Sequence, residues 1–547
     1  MTVDAGKSSP VSKSKKIILS IGAVIVLVLL VLIAASQELE KRLVSAVEAR
    51  LAQIEGLSFK IGHISMDLAG VHIDQITIRP AGQEDGFGLL LSGVQAKPNL
   101  AALIRGSVQV DQLTINQAAV LPHLKPALSS IEASIQPMKD SGLALHFKGQ
   151  SNPGQLSGTI ELDQQPSLVH MRGAIQGEGL HFFHPKIASL PLDNIHASLK
   201  FAGLYDKANA RLQIDEVKLS TQGLDGILSG QIEQIKTKPR LVLALIIPTV
   251  PCQTLFNALP QGLIPDLQGF QLAGNFAAEY KLAIDFDKLQ ETQLTGYRGF
   301  RDCQTTEAPS HLSQKHLLGS FEHRTRLEVG INQTFQVGPQ NPHYVPFTQF
   351  SDALRGAFIA TEDISFFQHH GFVPESLSLA IGQNLLENRF AMGGSTITMQ
   401  MVKNVFLSHE KTLSRKIQEL FLTDYAERTL GKERILEIYL NVIEFGPGIF
   451  GIGSAAEHYF RKRAADLSPL ESVYLASIIY SPRRHFGSYC RGNVSKEWDK
   501  RLRQLLQLMY DKELIGEDDF VTSQSQSIAF RSPPMGCHKN IEVPLKP

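Results

Sequence analysis

Cysteine is scarce in this chain: four residues among 547, Cys252, Cys303, Cys490 and Cys537, none in CxxC spacing. That speaks against a zinc ribbon or a thioredoxin-type dithiol, and leaves open which of the four pair. A surplus of either charge is also missing. Lys+Arg and Asp+Glu each total 53, giving a formal net charge of zero, whereas a nucleic-acid protein normally carries a basic excess. No nucleic-acid partner is expected. Long apolar runs are absent as well, with one exception. IILSIGAVIVLVLLVLIAAS, Ile17 to Ser36, is uncharged and long enough to cross a bilayer as a helix. Lys7, Lys13, Lys15 and Lys16 precede it and Glu38 and Glu40 follow it. The positive-inside bias therefore keeps residues 1–16 as a cytoplasmic tail and sends the rest outward from a single-pass anchor at 17–36. A cleavable signal peptide is the competing reading, with AAS as its cleavage site, but the run is long for that purpose.

A chain of this length exceeds one ordinary core, so several units are expected. Residues 37–300 alternate apolar and polar positions in short runs, after a brief helical pattern from Leu39 to Ile54. One pattern recurs: VHIDQITI from Val71, VQVDQLTI from Val108, LPLDNIHA from Leu190 and LQIDEVKL from Leu212. Each has period 2 with Asp at the fourth place, which predicts antiparallel strands that end or turn alike. This β-rich region resembles the AsmA-like membrane-anchored proteins, and the resemblance implies a twisted sheet with an apolar groove able to hold lipid. Residues 301–344 are polar and turn-rich and read as a linker or docking segment. From 345 to 515 the period changes to 3.6, and residues 516–547 form a C-terminal extension. The fold class is therefore multidomain: a transmembrane helix, a β-rich repeat region and a mainly α-helical domain.

Four stretches of the helical half carry polar residues that packing alone does not require. In TEDISFFQHHGF, Glu362, Phe366 and His369 fall at i, i+4 and i+7, which predicts one face of one helix; an amphipathic helix with a polar edge is the plain alternative. GGSTITMQMVKN, from Gly393 to Asn404, reads as a loop closing in a helix N-cap at Ser395 or Thr396, with Gln400 and Lys403 projecting together beyond it. In SRKIQE, Arg415, Lys416 and Glu419 share a face. A surface ion pair there is worth only a few tenths of a kcal/mol, and its polarity is the weaker one. In KERILEIYLN, Glu437 and Asn441 are the polar exceptions on an apolar helix. Between the first two stretches, GFVPESLSLAIGQNLLENRFAMGG carries Phe372, Leu377, Leu379 and Phe390, read either as ordinary helix packing or as a segment that dips into a membrane interface.

The order and spacing of these blocks resemble the peptidoglycan glycosyltransferases of class A penicillin-binding proteins and monofunctional transglycosylases. The resemblance implies a lysozyme-like domain that polymerises lipid II into β-1,4 glycan and releases polyprenyl diphosphate. Matched block by block, Glu362 takes the part of general base, and Glu419 is the second catalytic glutamate, a ligand for Mg or Mn at the diphosphate. Asp363, Phe366, His369, Ser395, Thr396, Gln400, Lys403, Asn404, Arg415, Lys416, Glu437 and Asn441 fall at substrate-binding positions. Implied partners are lipid II, the growing strand, membrane lipids and other cell-wall synthesis proteins, at the periplasmic face of the inner membrane. The chain departs from the family pattern at Met399, usually Gln, and after LASIIY, where it reads SPRRHFGSYCRG. SxxK-type tetrads occur only at Ser12 and Ser408, and KTG is missing, so no transpeptidase is expected. Two alternatives stay open: a glycan-cleaving relative of lysozyme, and a lipid-handling or scaffold protein with an inactive glycosyltransferase domain.

Overall fold

The computed structural model describes residues 57–531 and Cys537, apart from 68–69, 81–87, 99–109, 122–125, 139–141, 152, 236, 299–301, 326–332, 388–393 and 409. The tail at 1–16, the anchor at 17–36 and the helical pattern from Leu39 to Ile54 lie outside the described residues, as do Phe390 and Gly393. Among the described residues no helix is long and apolar enough to cross a membrane.

The chain divides into two compact units, 1–182 with 194–200, and 183–193 with 201–547. The first is built from β1 (Leu57–Ile61), β2 (Ile64–Asp67), β3 (Gly70–Pro80), β4 (Gly88–Pro98), β5 (Val110–Leu121), β6 (Pro126–Pro137), β7 (Gly142–Gln150), β8 (Gln155–Gln164) and β9 (Leu168–Phe182). Each strand from β3 to β9 pairs antiparallel with the next, while β1 and β2 both pair with β3. Alternation decides its core: Ile64, Ile73, Val94, Ile115 and Ile131 meet across neighbouring strands and are buried together.

β10 (Leu192–Asp206) is divided between the units. In the second unit, β11 (Arg211–Thr221), β12 (Leu224–Glu233), β13 (Arg240–Pro251), β15 (Asn275–Asp285) and β16 (Gln293–Arg298) pair antiparallel in that order. The short α1 (Cys252–Ala258) and β14 (Gln271–Ala273) interrupt them. The register sets Leu212, Ile214, Leu228, Ile232, Leu241, Leu243, Leu245, Tyr280, Leu282 and Ile284 on one face. Of these only Ile284 is buried, and Leu245 is 39% exposed. The repeated Asp does not mark strand ends. Asp74 lies inside β3 and Asp215 inside β11, beside the bulge between Ile214 and Val217, whereas Asp111 and Asp193 are second residues of their strands.

Residues 301–344 are not a linker. They form β17 (Gln304–Glu307), α2 (Gln314–Leu318), β18 (Phe321–Arg324) and β19 (Thr334–Val337). Leu312, Leu317, Phe321 and Val337 are buried in the same hydrophobic core as the helices that follow. Val250, Phe256, Phe270 and Phe276 belong to that core too, so the compact helical body extends back past the expected boundary at 300. Its sequence looked separate because strands and helices differ in period; apolar contact joins them regardless of period. The disulfides Cys252–Cys303 and Cys490–Cys537 each close a loop, with sequence separations of 51 and 47.

The helices are α3 (Asp352–Glu362), α4 (Pro374–Leu386), α5 (Ile397–Phe406), α6 (Leu413–Thr429) and α7 (Gly431–Val442). The β20–β21 hairpin (Glu444–Gly446, Ile449–Phe450) follows, then α8 (Ile452–Phe460), α9 (Pro469–Ile478), α10 (Pro482–Arg491), α11 (Lys496–Asp511) and α12 (Glu517–Ser525). α9, buried almost throughout, is the central helix, and α3 and α11 pack on it. Its first turn is a capping box in which Ser468 and Glu471 satisfy one another's backbone N–H.

Candidate active site

Helix α3 begins with Ser351 capping the N–H of Leu354 and buries Leu354, Ala357 and Phe358. It ends at Glu362. Asp363 leaves the helix at φ −162° and ψ 77°, because its carboxylate is drawn away to accept from the backbone N–H of Ile397 at 3.0 Å and from His369 Nε2 at 2.9 Å. The expected single helical face through Glu362, Phe366 and His369 is therefore wrong: the last two lie in a turn after the helix. His369 Nδ1 accepts from Gly371 N–H at 2.9 Å, which leaves Nε2 to carry the proton toward Asp363. Gly371 has φ +90°, a backbone state that favours glycine, and its carbonyl accepts from Thr396 Oγ1 at 2.8 Å. Thr396 in turn caps α5 by accepting from Met399 N–H. Asp363, His369 and Thr396 thus bolt the first two motifs together, while Phe366 is fully buried with Lys432 Nζ 4.4 Å from its ring centre.

This lock sets the end of α3 against α5. Gln400 Nε2 donates to Glu362 Oε2 at 2.7 Å, and Gln400 Oε1 accepts from the hydroxyl of Tyr439 at 3.1 Å. With both ends engaged, the amide has one orientation. Burial pushes the Glu362 carboxyl up, Asp363 adds to the rise, and the Gln400 hydrogen bond and the charge of Lys403 oppose it. Lys403 lies within electrostatic reach of Glu362 on one side and of Glu419, Arg415 and Lys416 on the other. Burial pulls its ammonium down, and the two carboxylates hold it up against its cationic neighbours.

The third motif is more than a surface pair. Glu419 is only 2% exposed, and both its oxygens are taken, one by Arg415 and one by Lys416 Nζ at 2.7 Å. Three cations therefore meet two carboxylates in this pocket, Glu362 at one end and Glu419 at the other. Ser395 and Asn404 flank this group, partly exposed, one before α5 and one on its last turn. Glu437 and Asn441 face elsewhere. Glu437 accepts from the Tyr344 hydroxyl, the Phe347 N–H and Arg434, while Asn441 bonds both N–H and carbonyl of Val345. They hold the approach to α3 in place.

Reading the sequence by period misses Tyr439, which looks like one more core residue of EIYLN, and the buried Thr398–Glu427–Lys432 chain below the site. No local signal marks either, since their partners are 29 to 39 residues away for Thr398 and Tyr439.

A family model described as Transglycosylase matches residues 330–510, which include every one of these groups. The chain is 42% identical over 160 residues to the biosynthetic peptidoglycan transglycosylase of Nitrosospira multiformis, covering 29% of this chain and 69% of that one. It is 39% identical over 181 residues to the protein of that name from a Janthinobacterium species, covering 33% and 78% respectively. The chain belongs to the transglycosylase family. A third relative of that name, from Nitrosomonas eutropha, is 51% identical over 150 residues, covering 26% of this chain and 62% of the relative's length. The family model matches only residues 330–510, so the transglycosylase domain is joined here to a strand-rich region that this match does not cover.

Proposed function

We propose that the transglycosylase domain polymerises lipid II into β-1,4 glycan strands, releasing polyprenyl diphosphate, and that it does not crosslink them. The observation that carries this is the pairing of one carboxyl of raised pKa, Glu362, with a separate cationic group, Lys403 together with the Arg415 and Lys416 that Glu419 holds. Glu362 takes the proton from the acceptor sugar's 4-hydroxyl. The freed oxygen attacks the donor's anomeric carbon, the bond to the diphosphate breaks, and the α-linked donor becomes a β-glycoside. The diphosphate leaves as a stable anion, so it needs neutralisation more than a proton, and the three cations supply that. A glycan-cleaving enzyme needs a proton donor for its leaving sugar, and such a cationic pocket has no part in that reaction. Purified protein given labelled lipid II decides between them. Long strands support polymerisation; an enzyme that only shortens preformed glycan, or leaves lipid II untouched, ends the proposal.

A divalent cation fits this protein poorly as a resident ligand of Glu419. Both carboxylate oxygens are engaged by cations, and among the described residues no group of three or more His, Cys, Asp or Glu side chains could hold a metal. We propose that Mg or Mn, where required, comes bound to the diphosphate oxygens.

We place the domain on the periplasmic side of the inner membrane, anchored by Ile17 to Ser36. Two disulfides support an oxidising compartment. The continuous apolar face of the second unit's sheet supports the AsmA-like reading, in which that face holds lipid chains beside the membrane. Cell-wall synthesis proteins are further partners on this reading.

A further inference from the structure

Helix α6 carries Arg415, Lys416 and Glu419 on one side, and its adjacent stripe is covered by the strand-rich part of the same compact unit. Ser414, Gln418, Phe421, Tyr425 and Arg428 make up that stripe. At its start the N–H groups of Leu413 and Ser414, which a helix cannot satisfy internally, donate to the carbonyls of Lys186 and Ile187 at 2.9 and 2.8 Å. Ser414 Oγ donates to the Leu263 carbonyl at 2.8 Å, and Gln418 Oε1 accepts from Asp266 N–H at 2.7 Å. Farther along, the rings of Phe256 and Phe270 meet Phe421 edge-on at 4.5 and 5.1 Å between centres. Ser414 and Gln418 are 3% and 2% exposed, so these bonds are made where water is excluded. Ser414 immediately precedes Arg415, and Gln418 immediately precedes Glu419, the carboxylate that pairs with Arg415 and Lys416.

We propose that Ser414 and Gln418 are positioning residues through which the strand-rich segment fixes Arg415, Lys416 and Glu419 for the diphosphate. The idea rests on the reading of that group as the leaving-group site. An apolar stripe alone leaves a helix free to slide or turn by fractions of a residue. Two buried polar bonds and two backbone bonds at one end do not. Because a displacement of about 1 Å at a catalytic group can cost roughly a hundredfold in rate, a strand-rich segment tied to α6 in this way sets the activity of a site it never touches.

The test uses the full-length protein in detergent with lipid II, and reads kcat, KM and backbone hydrogen exchange. Gln418→Met keeps the volume and removes the acceptor; Ser414→Ala is the milder partner, and Gln418→Glu restores an acceptor oxygen. Gln418→Met is expected to lower kcat about tenfold, with KM little changed and with exchange faster across 412–419. Gln418→Glu should return that exchange toward the wild-type rate. Exchange at 412–419 unchanged in both Gln418→Met and Ser414→Ala overturns the proposal, as does activity that falls only in step with the unfolded fraction. If wild-type protein makes no polymer, the functional reading fails, and the exchange data still decide whether α6 is held as described.

Discussion

As the proposed base, Glu362 has to be ionised in surroundings that resist ionisation. Burial favours its neutral form, and the Gln400 hydrogen bond and Lys403 partly offset that. The rate should therefore rise with pH through a midpoint above the usual carboxylate range, seen as the acid limb of a kcat/KM profile; a limb at the ordinary glutamate value speaks against this carboxyl as the base. The same shift has a sign for stability. The folded chain holds this proton to higher pH than the unfolded chain, so between the two midpoints stability falls as pH rises. Glu362→Gln removes that cost and the base together. It should melt no lower than wild type at neutral pH, while polymerisation drops by about 10²–10⁴-fold; near-normal strand synthesis by this variant would sink the mechanism. Glu419→Gln should slow turnover because Arg415 and Lys416 lose their shared anchor. With the metal held by the substrate, its Mg requirement should match that of wild type in a metal titration, and a shifted requirement would return Glu419 to the metal.

At the scale of elements, α4 buries its small residues and leaves several leucines exposed. Ser378 Oγ meets the free edge of β16 by accepting from Leu294 N–H at 2.9 Å, so the helix covers an otherwise open strand. Gly382 lies so close to the Leu289 carbonyl that a Cβ would come within 2.2 Å of its oxygen. Gly382→Ala should therefore loosen α4, costing about 1–3 kcal/mol in a denaturant titration. The same helix exposes Leu377, Leu379, Leu385 and Leu386, with Leu379 and Leu386 at 58% and 59% exposure. Of the residues on which the packing and membrane readings rest, Leu377 and Leu379 are exposed, Phe372 is half-buried and Phe390 lies outside the described residues. Leu379→Ser with Leu386→Ser should weaken liposome co-sedimentation and leave the melting temperature where it was; unchanged sedimentation would rule out α4 as a membrane contact. All of these residues were present in the sequence, but helical spacing cannot say which of them meet a strand edge and which are left open.

For the whole molecule, one compact unit includes strands from β11 onward together with all the helices among the described residues, and the Cys252–Cys303 disulfide ties α1 to the segment before β17. A fragment starting at residue 301 would expose the α6 stripe and lose that bond, whose loop closure is worth roughly 4 kcal/mol in the chain-entropy picture. Such a fragment should aggregate or melt well below the full chain in calorimetry; equal stability would restore the boundary at 300. Topology is checked separately, by a reporter fused after residue 60, which should signal from outside the cytoplasm. The sequence by itself singled out the residues proposed for the chemistry: Glu362, Gln400, Lys403, Arg415 and Glu419 were legible because residue type carries acid–base and charge properties and helical spacing is local. It also marked the helices α3, α6, α7 and α9, whose period is set by near neighbours. Only the tertiary structure decided that α3 stops at Glu362, that Asp363 and His369 brace the turn, that Glu437 and Asn441 hold the approach to α3, and which cysteines pair. The reason is common to all four: each depends on partners distant in sequence or on a competing hydrogen bond that no periodicity encodes, such as the N–H of Ile397 that draws Asp363 out of its helix.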